Sequence, residues 1–170
     1  YERAAAVYLA TDIPEPGRAG YQAMLAEVLI ELCRSAEGRS LVLFTSHAAL
    51  RAVQGAIAGR LEAEDILVLG QGLDGSPRKL ISRLRENSRT VLLGAASFWE
   101  GVDVVGDALS LVVIVRLPFS VPTDPIFAAR SETFDDPFND YALPQAALRF
   151  KQGFGRLIRS RRDRGAMVVL

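Results

Sequence analysis

Five short, almost uninterrupted apolar runs punctuate this sequence: 41–44 (LVLF), 66–69 (ILVL), 91–94 (VLLG), 111–115 (LVVIV) and 166–170 (AMVVL). They are too short for buried helices, and they lack the polar–apolar alternation of a strand with one wet face. Runs of this kind read as strands buried on both faces, as in a parallel sheet covered by helices. Helical patterns lie between them. Met24, Leu25, Val28, Leu29 and Leu32 form a stripe in residues 21–36, with Gly38 placed to stop the helix. Ser46 is placed to cap a helix carrying Leu50, Val53 and Ile57. Leu80, Ile81 and Leu84 mark another, whose outer side carries Arg78, Lys79, Arg83 and Arg85. This alternation predicts an α/β layered fold, with a mostly parallel central sheet flanked by helices and ligands gathering at the carboxyl ends of the strands.

The remaining segments connect these elements. A short apolar piece at 4–10 is followed by Asp12-Ile13-Pro14-Glu15-Pro16-Gly17, whose prolines and glycine predict an extended loop, so 1–20 reads as an entry segment. Residues 116–145 hold five of the eight prolines and predict an irregular connection with short helical turns. The 170 residues are read as a single domain, 1–170. The chain opens on Tyr1 and stops inside an apolar run, which we read as a domain of a longer protein.

Lys+Arg and Asp+Glu balance at 20 each, so the global positive charge of many nucleic-acid binders is absent. The charge is unevenly placed, though: residues 149–164 carry seven basic side chains against the single acid Asp163, a local anion site in outline. No apolar run approaches the roughly 20 residues of a membrane helix, so no membrane partner is expected. Cys33 stands alone, which excludes an internal disulfide or a cysteine-based metal site within the chain and fits a cytoplasmic setting. No nucleophile–base pattern surrounds Cys33 or the single histidine, His47, and both read as structural.

Two stretches carry chemistry. In QGFGRLIR (152–159), helical spacing puts Gln152, Gly155, Arg156 and Arg159 on one face, with Ala147, Phe150, Phe154, Leu157 and Ile158 opposite. Glycine inside a helix costs roughly 1 kcal/mol. Gly153 and Gly155 therefore suggest that something approaches the backbone closely. The plainer alternative is a solvated basic helix face. The second stretch, 94–103 (GAASFWEGVD), follows a predicted strand, so its polar groups emerge at a carboxyl end. Its plainer alternative is a structured turn whose aromatics plug the core. Glu100 and Asp103 alone offer too few ligands for a metal, and none is expected here.

Together, LVLFTS (41–46), GAASFWEGVDVVG (94–106), LSLVVIVRLPF (109–119) and 152–170 resemble, in order and spacing, motifs of the second RecA-like motor domain of DinG/XPD-like superfamily 2 helicases, closest to the bacterial DinG branch. The resemblance implies a RecA-like three-layer sandwich and an ATP-dependent, single-strand-translocating DNA helicase of 5′-to-3′ polarity. It implies ATP with Mg²⁺, held mainly by a first RecA-like domain of the same polypeptide. An iron–sulfur cluster would belong to that other half, with none in this chain.

The resemblance also assigns residues. Arg159 and Arg156 match arginines that approach the γ-phosphate, with Arg159 the finger, and Gln152 helps orient them. Gly101, Asp103, Glu100 and Gly155 fall near the nucleotide, with Asp103 placed to accept from a ribose hydroxyl. Thr45, Ser46, Ser97 and Phe98 fall along single-stranded DNA. The chain has no GxxxxGK[ST] phosphate loop. It is therefore expected to supply half of an active site and to hydrolyse no ATP alone. The alternatives are a catalytically silent RecA-like interaction module and a metabolic nucleotide-binding enzyme on a doubly wound sheet.

Overall fold

In the computed structural model, described for residues 5–99, 109–155, 157 and 164–170, all five expected strands form, and a sixth joins them. In chain order the elements are β1 (Ala5–Leu9), α1 (Tyr21–Ser35), β2 (Ser40–Leu43), α2 (His47–Glu62), β3 (Leu67–Gly70), α3 (Pro77–Glu86) and β4 (Thr90–Gly94). Then come α4 (Ala96–Trp99), β5 (Leu111–Ile114), α5 (Pro125–Ser131), a π-helical stretch (Pro137–Ala142), α6 (Leu143–Phe154) and β6 (Gly165–Val169). The strands pair in the order β1-β6-β5-β2-β4-β3, and every pairing is parallel.

Parallel neighbours need crossover connections, so helices fall on both faces and cover the inner strands, leaving the edge strand β1 exposed. The core accordingly divides in two. Val42, Phe44, Val91, Leu93 and Val113 face α1 and α2. Leu41, Leu43, Leu92, Val112 and Ile114 face α3 and α4, with Phe150 and Phe154 of α6 packed on the same side. This is a three-layer α/β sandwich, as the alternating pattern implies. The extra strand, β1, runs along the edge beside β6 with Val7, Tyr8 and Leu9 exposed, which is why its residues carry no buried-strand signature.

The helices depart from the sequence reading in detail. Helix α1 buries Tyr21, Leu25, Ala26, Leu29, Ile30 and Cys33, while Met24 is exposed. The buried stripe is thus rotated from the expected one, because the small Ala26 and Cys33 fit close to the sheet where a longer side chain would not. Gly38 ends α1 as expected: it has φ +86, and its N–H donates to the Cys33 carbonyl at 2.9 Å. An added Cβ would lie 2.5 Å from the Thr90 backbone nitrogen, so only glycine fits. Across the outer surface, Arg34 reaches Glu64 with two bonds of 2.7 and 2.5 Å and so ties α1 to the turn after α2.

Cys33 is fully buried, and burial pushes its thiol from 9.0 up to about 12, with a smaller opposing effect from the Ser40 hydroxyl. The sign follows from proton counting. Below pH 9 both states keep the proton; between 9 and 12 only the unfolded chain releases it. Stability due to the buried neutral thiol is therefore intact below the unfolded value and lost as pH rises, by about 1.4 kcal/mol per pH unit. Urea titrations between about pH 9 and 11 should show this slope in the parent chain and a flatter one in Cys33→Ala.

Candidate functional site

Because every strand is parallel, the residues that follow them all emerge at one edge. Thr45 and Ser46 leave β2, Gln71 leaves β3, 95–97 leave β4 and Val115 leaves β5. The chain leaves β2 toward β3 and leaves β5 toward β6, so the connections diverge between neighbouring β2 and β5. That divergence opens a crevice at the carboxyl edge, the usual ligand position in an open α/β sheet.

Thr45 and Ser46 are both exposed at this edge. Ser46 has extended backbone angles, and its Oγ accepts from the Ala49 N–H at 3.2 Å, making it the N-cap of α2. Capping uses an acceptor lone pair and leaves the hydroxyl proton to donate outward. Ser97, also exposed, is oriented by Gln71, whose Nε2 donates to Ser97 Oγ at 2.8 Å. Oε1 of the same side chain accepts from the Ala95 N–H at 2.7 Å. Gln71 is a site residue that sequence reasoning does not single out; the signal available is a polar side chain between two glycines directly after a buried run.

The aromatics of the second stretch point inward. Trp99 is buried, and its Nε1–H donates to the Phe44 carbonyl at 2.9 Å, joining the loop after β4 to the end of β2. Phe98 corrects the sequence reading. Its ring is fully buried against Gly94, where an added Cβ would lie 2.5 Å from Phe98 Cβ and Cγ. Phe98 therefore supports the loop from beneath and presents no face to a nucleic-acid strand. Of the two readings of these aromatics, core plugs is the one observed.

Helix α6 also differs from its sequence outline. It ends at Phe154 with Gly155 as its C-cap, and Leu157 lies in a turn, its N–H donating to the Phe154 carbonyl at 3.0 Å. Its buried positions are Ala146 and Gly153, with Ala147 exposed. The close approach anticipated at the glycines is made by Trp99: a Cβ on Gly153 would meet Trp99 Cζ3 at 3.1 Å and Leu43 Cδ1 at 3.3 Å. Gln152, next to it, is exposed. The expected residues Glu100, Gly101, Asp103, Arg156 and Arg159 lie outside the described residues, as does Ile158.

A three-layer sandwich with an all-parallel sheet and this carboxyl edge is a RecA-like helicase fold. Among solved structures, an XPD helicase superposes with a TM-score of 0.76 at 24% identity, over 98% of this chain and 31% of that one. The Mycobacterium smegmatis helicase Lhr, bound to ssDNA and AMP-PNP, superposes with a TM-score of 0.60 at 15% identity, over 98% of this chain and 19% of that one. The chain belongs to the helicase C-terminal domain family, whose profile matches residues 29–170. It is 42% identical to the 3′-5′ exonuclease DinG of Bacillus subtilis, over 82% of this chain and 16% of that protein. It is 39% identical to the ATP-dependent DNA helicase YoaA of Escherichia coli, over 99% of this chain and 27% of that protein. The chain thus spans about a sixth to a quarter of the length of these relatives. Among the described residues, no helix is long and apolar enough to cross a membrane.

Two substitutions check the internal framework of this edge. Trp99→Phe should cost about 1–3 kcal/mol by leaving the buried Phe44 carbonyl without its indole donor. Gly94→Ala should cost about 3 kcal/mol through overpacking against Phe98. Urea unfolding of each variant reads both; a midpoint unchanged from the parent would remove the assigned role.

Proposed function

We propose that this chain is the second motor domain, 1–170, of an ATP-dependent helicase that translocates on single-stranded DNA. The observation that carries this reading is the convergence at one sheet edge of the Thr45–Ser46 loop, the Ser97 loop and the end of α6, locked together by buried Trp99. Thr45, Ser46 and Ser97 offer hydroxyls suited to phosphate oxygens, contacts that position a strand without reading its sequence. On the other side, Gln152 and Gly155 lead into the arginine-rich stretch. There Arg159 acts as the finger on the γ-phosphate, Arg156 assists, and Gln152 orients the pair. Glu100, Gly101 and Asp103 complete the nucleotide contacts, Asp103 on the ribose.

Guanidinium suits this task because it stays charged and matches phosphoryl oxygens with paired donors. ATP and Mg²⁺ are held mainly by the phosphate loop of a first RecA-like domain of the same polypeptide. ATP draws the two domains together by bridging that loop to the arginines, and hydrolysis releases them. Translocation runs 5′ to 3′, a polarity that rests on the family resemblance. The motor works in the cytoplasm, on DNA there.

In the full-length protein, Arg159→Ala is expected to leave ATP binding within a few fold and to lower DNA-stimulated hydrolysis by about 10³-fold or more. Parental turnover in that variant would refute the finger assignment. The isolated 170-residue domain should show no ATP turnover and weak, salt-sensitive binding to single strands. Robust hydrolysis by the domain alone would overturn the two-half account.

A further inference from the structure

We propose that a cavity of about 370 Å³ beside Thr45 takes one nucleobase of the single strand, turned out of the backbone path and stacked on aromatic side chains. The inference rests on the strand-path reading above, since Thr45 both follows β2 at the carboxyl edge and forms part of the cavity wall. The other walls come from the proline-rich segment and α6, through Phe119, Tyr141, Gln145, Arg130 and Arg149.

The rings are not there to build a core. Neither α5 nor the π-helical stretch buries a single residue. The aromatics of this segment nonetheless pack on one another: Tyr141 stacks on Phe134 and tilts against Phe127, each 5.2 Å centroid to centroid, and Phe119 stacks on Phe138 at 5.8 Å. Rings held in register at a wet surface form a stacking platform, which is how single strands are gripped without sequence selection. The polar groups suit the rest of a nucleotide. Arg149 Nη1 donates to Ser120 Oγ at 2.8 Å, which fixes a cation in the cavity wall, and Arg130 adds a second. Among the described lining residues, Arg130 and Arg149 outnumber the one acid, Asp124, whose carboxylate also accepts from the Phe127 N–H at 2.9 Å, so the wall is net positive, as an adjoining phosphate requires. Gln145 carries an amide able to pair with a base edge, and 370 Å³ falls within the roughly 300–1,000 Å³ of small-ligand pockets.

The test uses the full-length protein without nucleotide. Fluorescence anisotropy compares a thymidine oligonucleotide of about 20 residues with a fully abasic strand of equal length, at one salt concentration. Tyr141→Ala and Gln145→Ala are each expected to weaken binding of the thymidine strand by about 5-fold or more, in keeping with the worth of one stacked base, and to leave the abasic strand within about 2-fold. Tyr141→Phe should keep parental affinity. Gln145 is an exposed helical position, so its variant folds independently of the ring cluster. Equal weakening for both strands, or no change for either, overturns the base pocket. Failure of the parent protein to bind either strand overturns the strand path as well; equal binding of both strands by the parent overturns the pocket alone.

Discussion

A parallel sheet has no face that can be left to water, and from that single constraint most of this structure follows. Each strand must be returned to its starting end by a crossover, so α1 and α2 cover one face while α3, α4 and α6 cover the other. The same connectivity places every outgoing loop at one edge. Residues as distant in sequence as Thr45, Gln71, Ser97 and Val115 come to that edge without any direct contact having to select them. The functional edge is thus a by-product of covering apolar surface, and its chemistry is free to sit on loops whose backbones the sheet already holds.

At that edge the critical tie is Trp99. Its indole donates to the Phe44 carbonyl, directly before Thr45, and its ring lies against Gly153, directly after Gln152. One buried side chain therefore touches the backbone beside both groups proposed above, the strand contacts and the nucleotide contacts. A rigid aromatic ring with a single fixed hydrogen bond transmits displacement better than a flexible chain, because interiors are densely packed and resist compression. The helix accepts a glycine at 153 for this contact; alanine would already press on the ring and on Leu43.

The fold is legible because buried strands announce themselves: apolar runs of four or five residues, bounded by turn signals, suit little besides a covered sheet, and all five form parallel strands. β1 is not legible, since an edge strand with exposed Val7, Tyr8 and Leu9 carries no burial signature. Helix existence is clear from the pattern and helix rotation is not, as Met24 and Ala147 show, because small residues such as Ala26, Ala146 and Gly153 decide which side approaches the sheet. In the site, Ser46 is readable as a cap from local chemistry. Phe98 is not readable in the same way, because motif position says where a residue lies along the chain and not which way its ring turns. Gln71 escapes sequence reasoning because both of its side-chain bonds are to a loop some two dozen residues away.

The end of α6 is anchored on both sides of its exposed polar group, Gln152. The helix stops at Phe154, and the chain is fastened again at Leu157, which is buried against the start of β6; a Cβ on Gly165 would lie 2.5 Å from Leu157 Cδ1. Gln152 and Gly155 thus sit beside two fixed points, Gly153 under Trp99 and Leu157 on β6. On the proposed reading of Gln152 as a nucleotide contact, anchoring of this kind leaves few side-chain torsions to order on binding, because the helix already carries the position.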